Sequence, residues 1–457
     1  MSSEWEWHRL GDHCLKIGSG STPTGGKDVY LEHGPFMLIR SQNIYNDGFR
    51  PGGLAFIDNE QAKKLDGVTV ETGDVLLNIT GDSVARVCLA PFQYLPARVN
   101  QHVAIIRPMP LVFDSRFVRY FLASGYQQDL MLGLAGAGAT RNALTKSMIE
   151  NFKVPCPPIE IQRGVSDILA ALDDRIILLR ETNATLEAIA QALFKSWFVD
   201  FDPVCAKMKG RAPEGMDEAT AAMFPDGLEE TELGLVPKGW RLVPFGQLLC
   251  HTIGDDWGSD VPDDKNDARV AIIRGTDIPD LQSGANNRVP VRYTSQKKLG
   301  TRRLEDGDIV LEVSGGSKDQ PTGRSLYLTA GLLGQFDCPV EPASFCRLLR
   351  PISKGIGVLL GQHLRYIYAQ GKTWEYQNQS TGIANFQTTR FLETELVTVP
   401  SDDVLATFSE AIRPMVDRAH LTQIQELAAL RDTLLPRLIS GQLRLHEARA
   451  LPEASAA

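Results

Sequence analysis

From Val165 onward, apolar side chains return at alternating four- and three-residue steps: Val165, Leu169, Leu172, Ile176, Leu179, Leu186, Leu193 and Trp197, with Asn183 and Ala190 at the two remaining positions. This heptad seam predicts one long helix over 153–202 whose single apolar stripe must be covered by a second helix. Pro157 and Pro158 stand where such a helix begins, and Asp202-Pro203 where it has already ended. At 1.5 Å per residue the rod from Val165 to Trp197 is roughly 48 Å long.

Around this helix the chain is written twice. EWHRLGDHC precedes the strand-like runs FMLIRSQNI (36–44), GDVLLNIT (73–80) and VAIIRP (103–108). After residue 235, GWRLVPFGQLL precedes VAIIRGTDI (270–278), GDIVLEVS (307–314) and FCRLLRP (345–351). Arg40 answers to Arg274 and Gly73 to Gly307 at a spacing of 234, while Pro108 answers to Pro351 at 243, so the second copy is expected to carry about nine extra residues in SGGSKDQPTGR. Each copy continues with an amphipathic segment (115–130 and 356–371), a polar loop and a short strand ending in proline. The second copy closes on the missing partner helix, where Phe408, Ile412 and Met415 begin a seam. Its stripe shifts after Ala419 to Ile424, Leu427, Leu434 and Leu438, a break in heptad phase, and Pro414 predicts a kink.

The fold expected is α+β. Two similar mixed α/β domains, 1–152 and 235–398, are separated by long helices at 153–202 and 399–441, with an acidic linker at 203–234 and a disordered tail at 442–457. The helices would pair as an antiparallel coiled coil with pseudo-twofold symmetry. Helix pairing is assigned to Val165, Leu169, Leu172, Ile176, Leu179, Asn183, Leu186 and Leu193 against Phe408, Ile412 and Met415, with Asn183 suited to fixing the register. Asp173, Asp174, Arg175, Arg180 and Glu181 fall on the outer face, a candidate docking surface.

Composition sharpens this picture. The 457 residues exceed one ordinary core. The absence of a long apolar run or a signal-like start predicts a cytoplasmic protein without membrane contact. Seven cysteines show no C-x-x-C pair and eight histidines no i, i+4 pair, which argues against zinc sites and disulfides. The net charge of −9 lies mainly in 151–235, which holds 8 basic and 15 acidic residues, whereas 1–150 holds 14 and 15. Near-neutral flanking regions leave room for a basic face on either.

No catalytic constellation emerges. Gly371-Lys372-Thr373 follows a helix instead of a strand, and Tyr366 stands where a phosphate-binding loop has its first glycine. Asp217-Glu218-Ala219 and Pro262-Asp263-Asp264-Lys265 lie in polar segments that offer no rigid carboxylate platform. No G-x-S-x-G, G-x-G-x-x-G or Pro-Pro-aromatic methyltransferase motif is present. The chain reads as a binding protein.

The pattern of two variable α/β domains between similar long helices, with VPCPPIEIQ (154–162), KSWFVDFDP (195–203) and LGLVPKGW (233–240), resembles the specificity subunit of type I restriction-modification enzymes. Ile161 departs from the Glu usual in the family before Gln162, and VPSDDV lacks the second Pro-Pro and Gln. The resemblance implies that each globular domain is a target recognition domain reading one half of a split, asymmetric sequence in double-stranded DNA. It implies that the helices fix the spacer and dock two methyltransferase subunits, to which restriction subunits add. No cofactor is then expected on this chain, since S-adenosylmethionine, ATP and Mg²⁺ belong to the partners. Base reading needs Arg, Lys, Asn or Gln on exposed loops. The candidates are Arg40, Gln42, Asn43, Arg141 and Asn142 in the first domain, and Arg274, Lys318, Arg324, Asn385 and Gln387 in the second. The competing reading is a pseudo-symmetric scaffold whose domains bind protein without DNA specificity.

Overall fold

The computed structural model of the chain describes residues 5–448, apart from 137–142, 233, 255, 285–287, 318–319 and 381–382. It divides into two compact units, Met1–Ile176 with Leu427–Ala457, and Ile177–Glu426.

In the first unit the apolar runs become two four-stranded sheets. One holds Cys14–Ser19, Val103–Pro108, Val75–Asn78 and Val87–Leu89, all antiparallel. The other holds Ala55–Ile57, Phe36–Ile39, Ala97–Val99 and Thr69–Val70, with Phe36–Ile39 and Ala97–Val99 parallel. Val75, Leu77 and Ile106 pack on Phe117 and Phe121, while Leu76 and Ile105 pack on Ile39 and Val99. With both faces covered, these strands read as continuous apolar runs without alternation.

The second unit repeats the order. Leu249–Gly254, Cys346–Pro351, Ile309–Glu312 and Ser325–Tyr327 form the antiparallel sheet, and Ala268–Ile273 runs parallel to Val340–Pro342. Local chemistry repeats as well. Gly73 and Gly307 enter their strands at φ +87° and +98°, a left-handed turn that disfavours any side chain. The next residue in each copy, Asp74 and Asp308, is buried and grips an arginine of the neighbouring strand, Arg107 at 2.7 Å and Arg350 at 2.8 Å.

The extra length of the second copy is divided, contrary to expectation. Asn78 N donates to Arg86 O and Glu312 N to Arg324 O, so those pairs correspond and the spacing rises only from 234 to 238 across SGGSKDQPTGR. It reaches 243 at Ala97 and Val340. The remainder therefore lies between the helix Ala330–Leu333, which answers to the turn Phe92–Tyr94 at the same spacing of 238, and Val340.

The seam forms one helix, Ile159–Phe198. Its start is fixed by buried Gln162, whose Nε2 donates to Val112 O (2.8 Å) and Pro157 O (2.9 Å), while its Oε1 accepts from Asp114 N (2.9 Å). In the first unit Val165 and Leu169 join Leu434, Leu435, Leu438 and Ile439 in one core. Gly164 abuts Leu445 and Asp173 meets Arg431, so the two segments there run antiparallel. In the second unit Ala190, Phe194, Trp197 and Phe198 pack on Phe408, Ile412 and Val416, with Leu193 and Met415 at the edge. Ile176 and Leu179 are buried, and Leu172, Asn183 and Leu186 are half-buried.

Four expectations need correction. The distal helix is two, Asp402–Ala419 and Gln423–Ser440, parted at 420–422 where the heptad phase shifts, and Pro414 lies inside the first. Pro414 and Pro436 are exposed, where water can satisfy the carbonyl each leaves unbonded. The break falls where buried His420 turns to Thr329 (Nδ1···Oγ1 2.9 Å), away from a helical path. The 203–234 segment is structured, with helices Asp202–Met208 and Glu218–Met223 and the hairpin Leu228–Thr231/Gly234–Pro237, because Val204 and Phe224 are core residues. The tail is not wholly without burial, since Leu443 and Ala448 enter the first core. Asp173 faces inward, as described below.

The two sequence signatures 195–203 and 233–240 meet in an aromatic cluster. Phe198 and Phe201 lie 5.7 and 6.1 Å from Trp240, and Phe198 stands edge-on to Phe408 at 4.7 Å. Such ring pairs add about 0.5–1.5 kcal/mol each beyond their burial, which accounts for aromatic residues at both places.

Candidate nucleic-acid interface

In each copy the chain leaves the parallel strand into a short turn held by its own residues. Arg40 N donates to Asn43 Oδ1 (3.1 Å) and Asn43 N returns to Arg40 O (2.9 Å). In the second copy Arg274 N donates to Asp277 Oδ2 (2.9 Å) and Asp277 N to Arg274 O (3.0 Å). Beside each turn opens a concavity, of about 990 Å³ in the first unit and about 700 Å³ in the second.

The first concavity is lined by Gln42, Tyr45, Thr80, Asp82, Arg86 and His102, among others. Gln42 Nε2 reaches Gly53 O at 3.1 Å, and Thr80 Oγ1 lies 2.5 Å from His102 Nδ1. The Arg86 guanidinium lies 4.6 Å from the centre of the Tyr45 ring, which Arg50 also approaches at 3.8 Å. These are hydrogen-bonding and cation–π groups at a solvent-open surface, the chemistry that base edges and backbone phosphates require. The second concavity is lined by Trp257, Arg274, Ser314, Gln320, Arg324 and Phe345 with their neighbours. Phe345 is exposed. Hydrogen bonds to Asp277 (Nε–Oδ2 2.9 Å, Nη2–Oδ1 2.7 Å) raise the pKa of Arg274 further, and those to Glu312 do the same for Arg324 (Nε–Oε2 2.8 Å).

The sequence candidates separate accordingly. Gln42, Arg274 and Arg324 line the concavities. Asn385 is exposed and accepts a hydrogen bond from Ser314 Oγ at 2.9 Å, which places it next to the second. Arg40 instead ties down the following loop by donating to Gly53 O. Asn43 is fully buried and holds the same loop through Arg50 O (2.9 Å) and Gly52 O (3.1 Å), so its amide is committed to structure. Gln387 is half-buried at the start of the helix Thr388–Thr394 and lines neither concavity. Arg141, Asn142 and Lys318 lie outside the described residues. Sequence reasoning missed Arg86, Tyr45 and His102. Arg86 could have been found by carrying Arg324 back onto the first copy.

The type I restriction modification DNA specificity domain matches residues 2–188. Across its length the chain is 25% identical to the type I restriction enzyme HindI specificity subunit of Haemophilus influenzae, covering 96% of this chain and 100% of that one. It is 24% identical to the MjaIX specificity subunit of Methanocaldococcus jannaschii, covering 98% and 95%. This chain is thus similar to the type I restriction-modification specificity subunits over nearly its whole length. A crystal structure of the type I restriction-modification S subunit from M. genitalium shares the fold, with a TM-score of 0.53 at 14% identity over 95% of this chain and 96% of that one.

Among the described residues no group of three or more His, Cys, Asp or Glu side chains could hold a metal ion, and no helix is long and apolar enough to cross a membrane.

Proposed function

We propose that each of the two repeated domains, 1–152 and 235–398, reads one half of a bipartite asymmetric DNA target through its concavity and the adjoining loops. The observation that carries this reading is the pair of concavities, set at equivalent turns after Arg40 and Arg274 and lined in both copies by polar and aromatic side chains. The long helix and its two partner segments fix the spacer between half-sites. At about 3.4 Å per base pair, a rod of roughly 48 Å corresponds to about 14 base pairs, room for readers one or more turns apart.

The helices also dock two methyltransferase subunits, to which restriction subunits add, in the cytoplasm. This chain performs no catalysis, and S-adenosylmethionine, ATP and Mg²⁺ act on the partners. Near-neutral domains suit a reader whose affinity comes largely from phosphate contacts made by the whole assembly. Footprinting of the subunit assembled with its methyltransferase chains should protect two short patches about a helical turn or more apart. A complex that binds DNA without sequence preference would refute this function.

A further inference from the structure

The two copies differ at one place where their backbones agree. Asn78 N bonds Arg86 O and Glu312 N bonds Arg324 O, both at 2.8 Å, so Asn78 occupies the position of Glu312 and Arg86 that of Arg324. Glu312 is buried, and its carboxylate holds the Arg324 guanidinium at two points. Gly275 packs against this pair, and a Cβ there would meet Glu312 Oε1 at 2.5 Å. Asn78 instead turns its amide to Ser41 O (2.8 Å), at the position of Gly275. It offers no charge to Arg86.

The half-buried Arg86 guanidinium forms no hydrogen bond or ion pair among the described residues and rests near the Tyr45 ring. Asp82, the one carboxylate lining that concavity, is exposed and unpaired with Arg86.

We infer that Asn78 and Glu312 set opposite roles for the two equivalent arginines, so that Arg86 grips a guanine in the first half-site while Arg324 is withheld from the bases of the second. This inference rests on the function proposed above. A guanidinium offers two parallel donors, matched by O6 and N7 on the major-groove edge of guanine and by no other base. An aromatic ring beside it restrains its plane without consuming its donors. Arg324 gives two of its five donors, Nε and one on Nη2, to Glu312, so that edge of the guanidinium cannot fork onto a guanine, and freeing it would strand a buried carboxylate.

The test is selection of bound duplexes from a randomised pool, using the subunit assembled with its methyltransferase chains. Arg86→Ala should weaken binding to the wild-type target by roughly 5- to 150-fold and relax a single guanine in one half-site. Arg86→Lys should not restore that guanine, because a lysine replaces a phosphate contact but not a forked base contact. The double variant Glu312→Met/Arg324→Met removes the ion pair as a unit and should leave the other half-site fully specified. Intact recognition in Arg86→Ala, rescue by Arg86→Lys, or loss of a guanine in the double variant would each overturn the inference. A wild-type complex without a split target would overturn the function beneath it, a failure visible before any variant is made.

Discussion

Asp173 is the residue whose removal should most disturb the first unit. Its carboxylate is largely buried and receives Arg431 Nη1 at 2.8 Å, Arg119 Nη1 at 3.1 Å and Tyr120 Oη at 2.8 Å. Three elements thus converge on one side chain: the long helix, the distal helix Gln423–Ser440 and the helix Ser115–Ala123. Asp173→Ala leaves Arg119, with 8% of its side chain exposed, holding only Asn46 O, and Arg431 holding only the exposed Asp432. Breaking a buried pair from one side typically costs about 3–5 kcal/mol. The retained partners and the partial exposure of Arg431 favour the lower end, about 3 kcal/mol. For a unit of this size that lowers Tm by roughly 6–12 °C. Thermal unfolding, with hydrogen exchange to identify which unit opens, measures it. Asp174→Ala is the control, since Asp174 is exposed and its loss should stay within about 0.5 kcal/mol. An Asp173→Ala protein within 1 kcal/mol of wild type would refute the view that this carboxylate joins the three helices.

The second unit should be acid-labile in two stages. Burial, with Arg365 and Arg413 nearby, lowers the pKa of His420 from 6.5 to about 4. It therefore stays neutral when folded, and its stabilising contribution is fully present above pH 6.5 and is lost as pH falls toward 4. His420→Asn should flatten that part of the urea-unfolding profile, and an unchanged slope would contradict the assignment. Burial opposes the charge of Glu395, but hydrogen bonds from His363 (2.8 Å), Lys372 (2.9 Å) and Tyr376 (2.7 Å) overcome it and hold its pKa down from 4.5 to about 2. Its contribution, on the order of 3 kcal/mol, is present above pH 4.5 and fades as pH falls toward 2. Glu395→Gln should remove that dependence. A seven-residue insertion in the long helix matched by one in the distal segment should lengthen the DNA spacer without altering either half-site, as methylome sequencing would record; an unchanged spacer counts against the ruler.

Different features were legible in the sequence for different physical reasons. Strands such as Val103–Pro108 and Cys346–Pro351 could be read because burial on both faces puts adjacent apolar residues together, Val103–Ile106 and Leu348-Leu349, and the same order appears twice. The long helix could be read because a seam fixes its period. The break after Ala419 showed only as a shift of the apolar stripe to Ile424, Leu427, Leu434 and Leu438; the contact that fixes it, His420 to Thr329 across 91 residues, left no local mark. Pro414 does not end its helix, because at an exposed position water can satisfy the carbonyl it leaves unbonded.

The interface was legible only by residue type. Arginine, asparagine and glutamine on loops are the right donors, yet type does not tell a donor that is free from one already spent. Asn43 is spent on Arg50 O and Gly52 O, and Arg324 has one edge of its guanidinium on Glu312. Arg86 has no pattern around it and stands out only once the repeat equates it with Arg324, an equivalence that strand register fixes. A duplicated chain therefore holds more information than either half read alone. Where the copies agree, as at Asp74 and Asp308, the pairing builds the fold. Where they disagree on a shared backbone, as at Asn78 and Glu312, the difference is free to set what each domain binds.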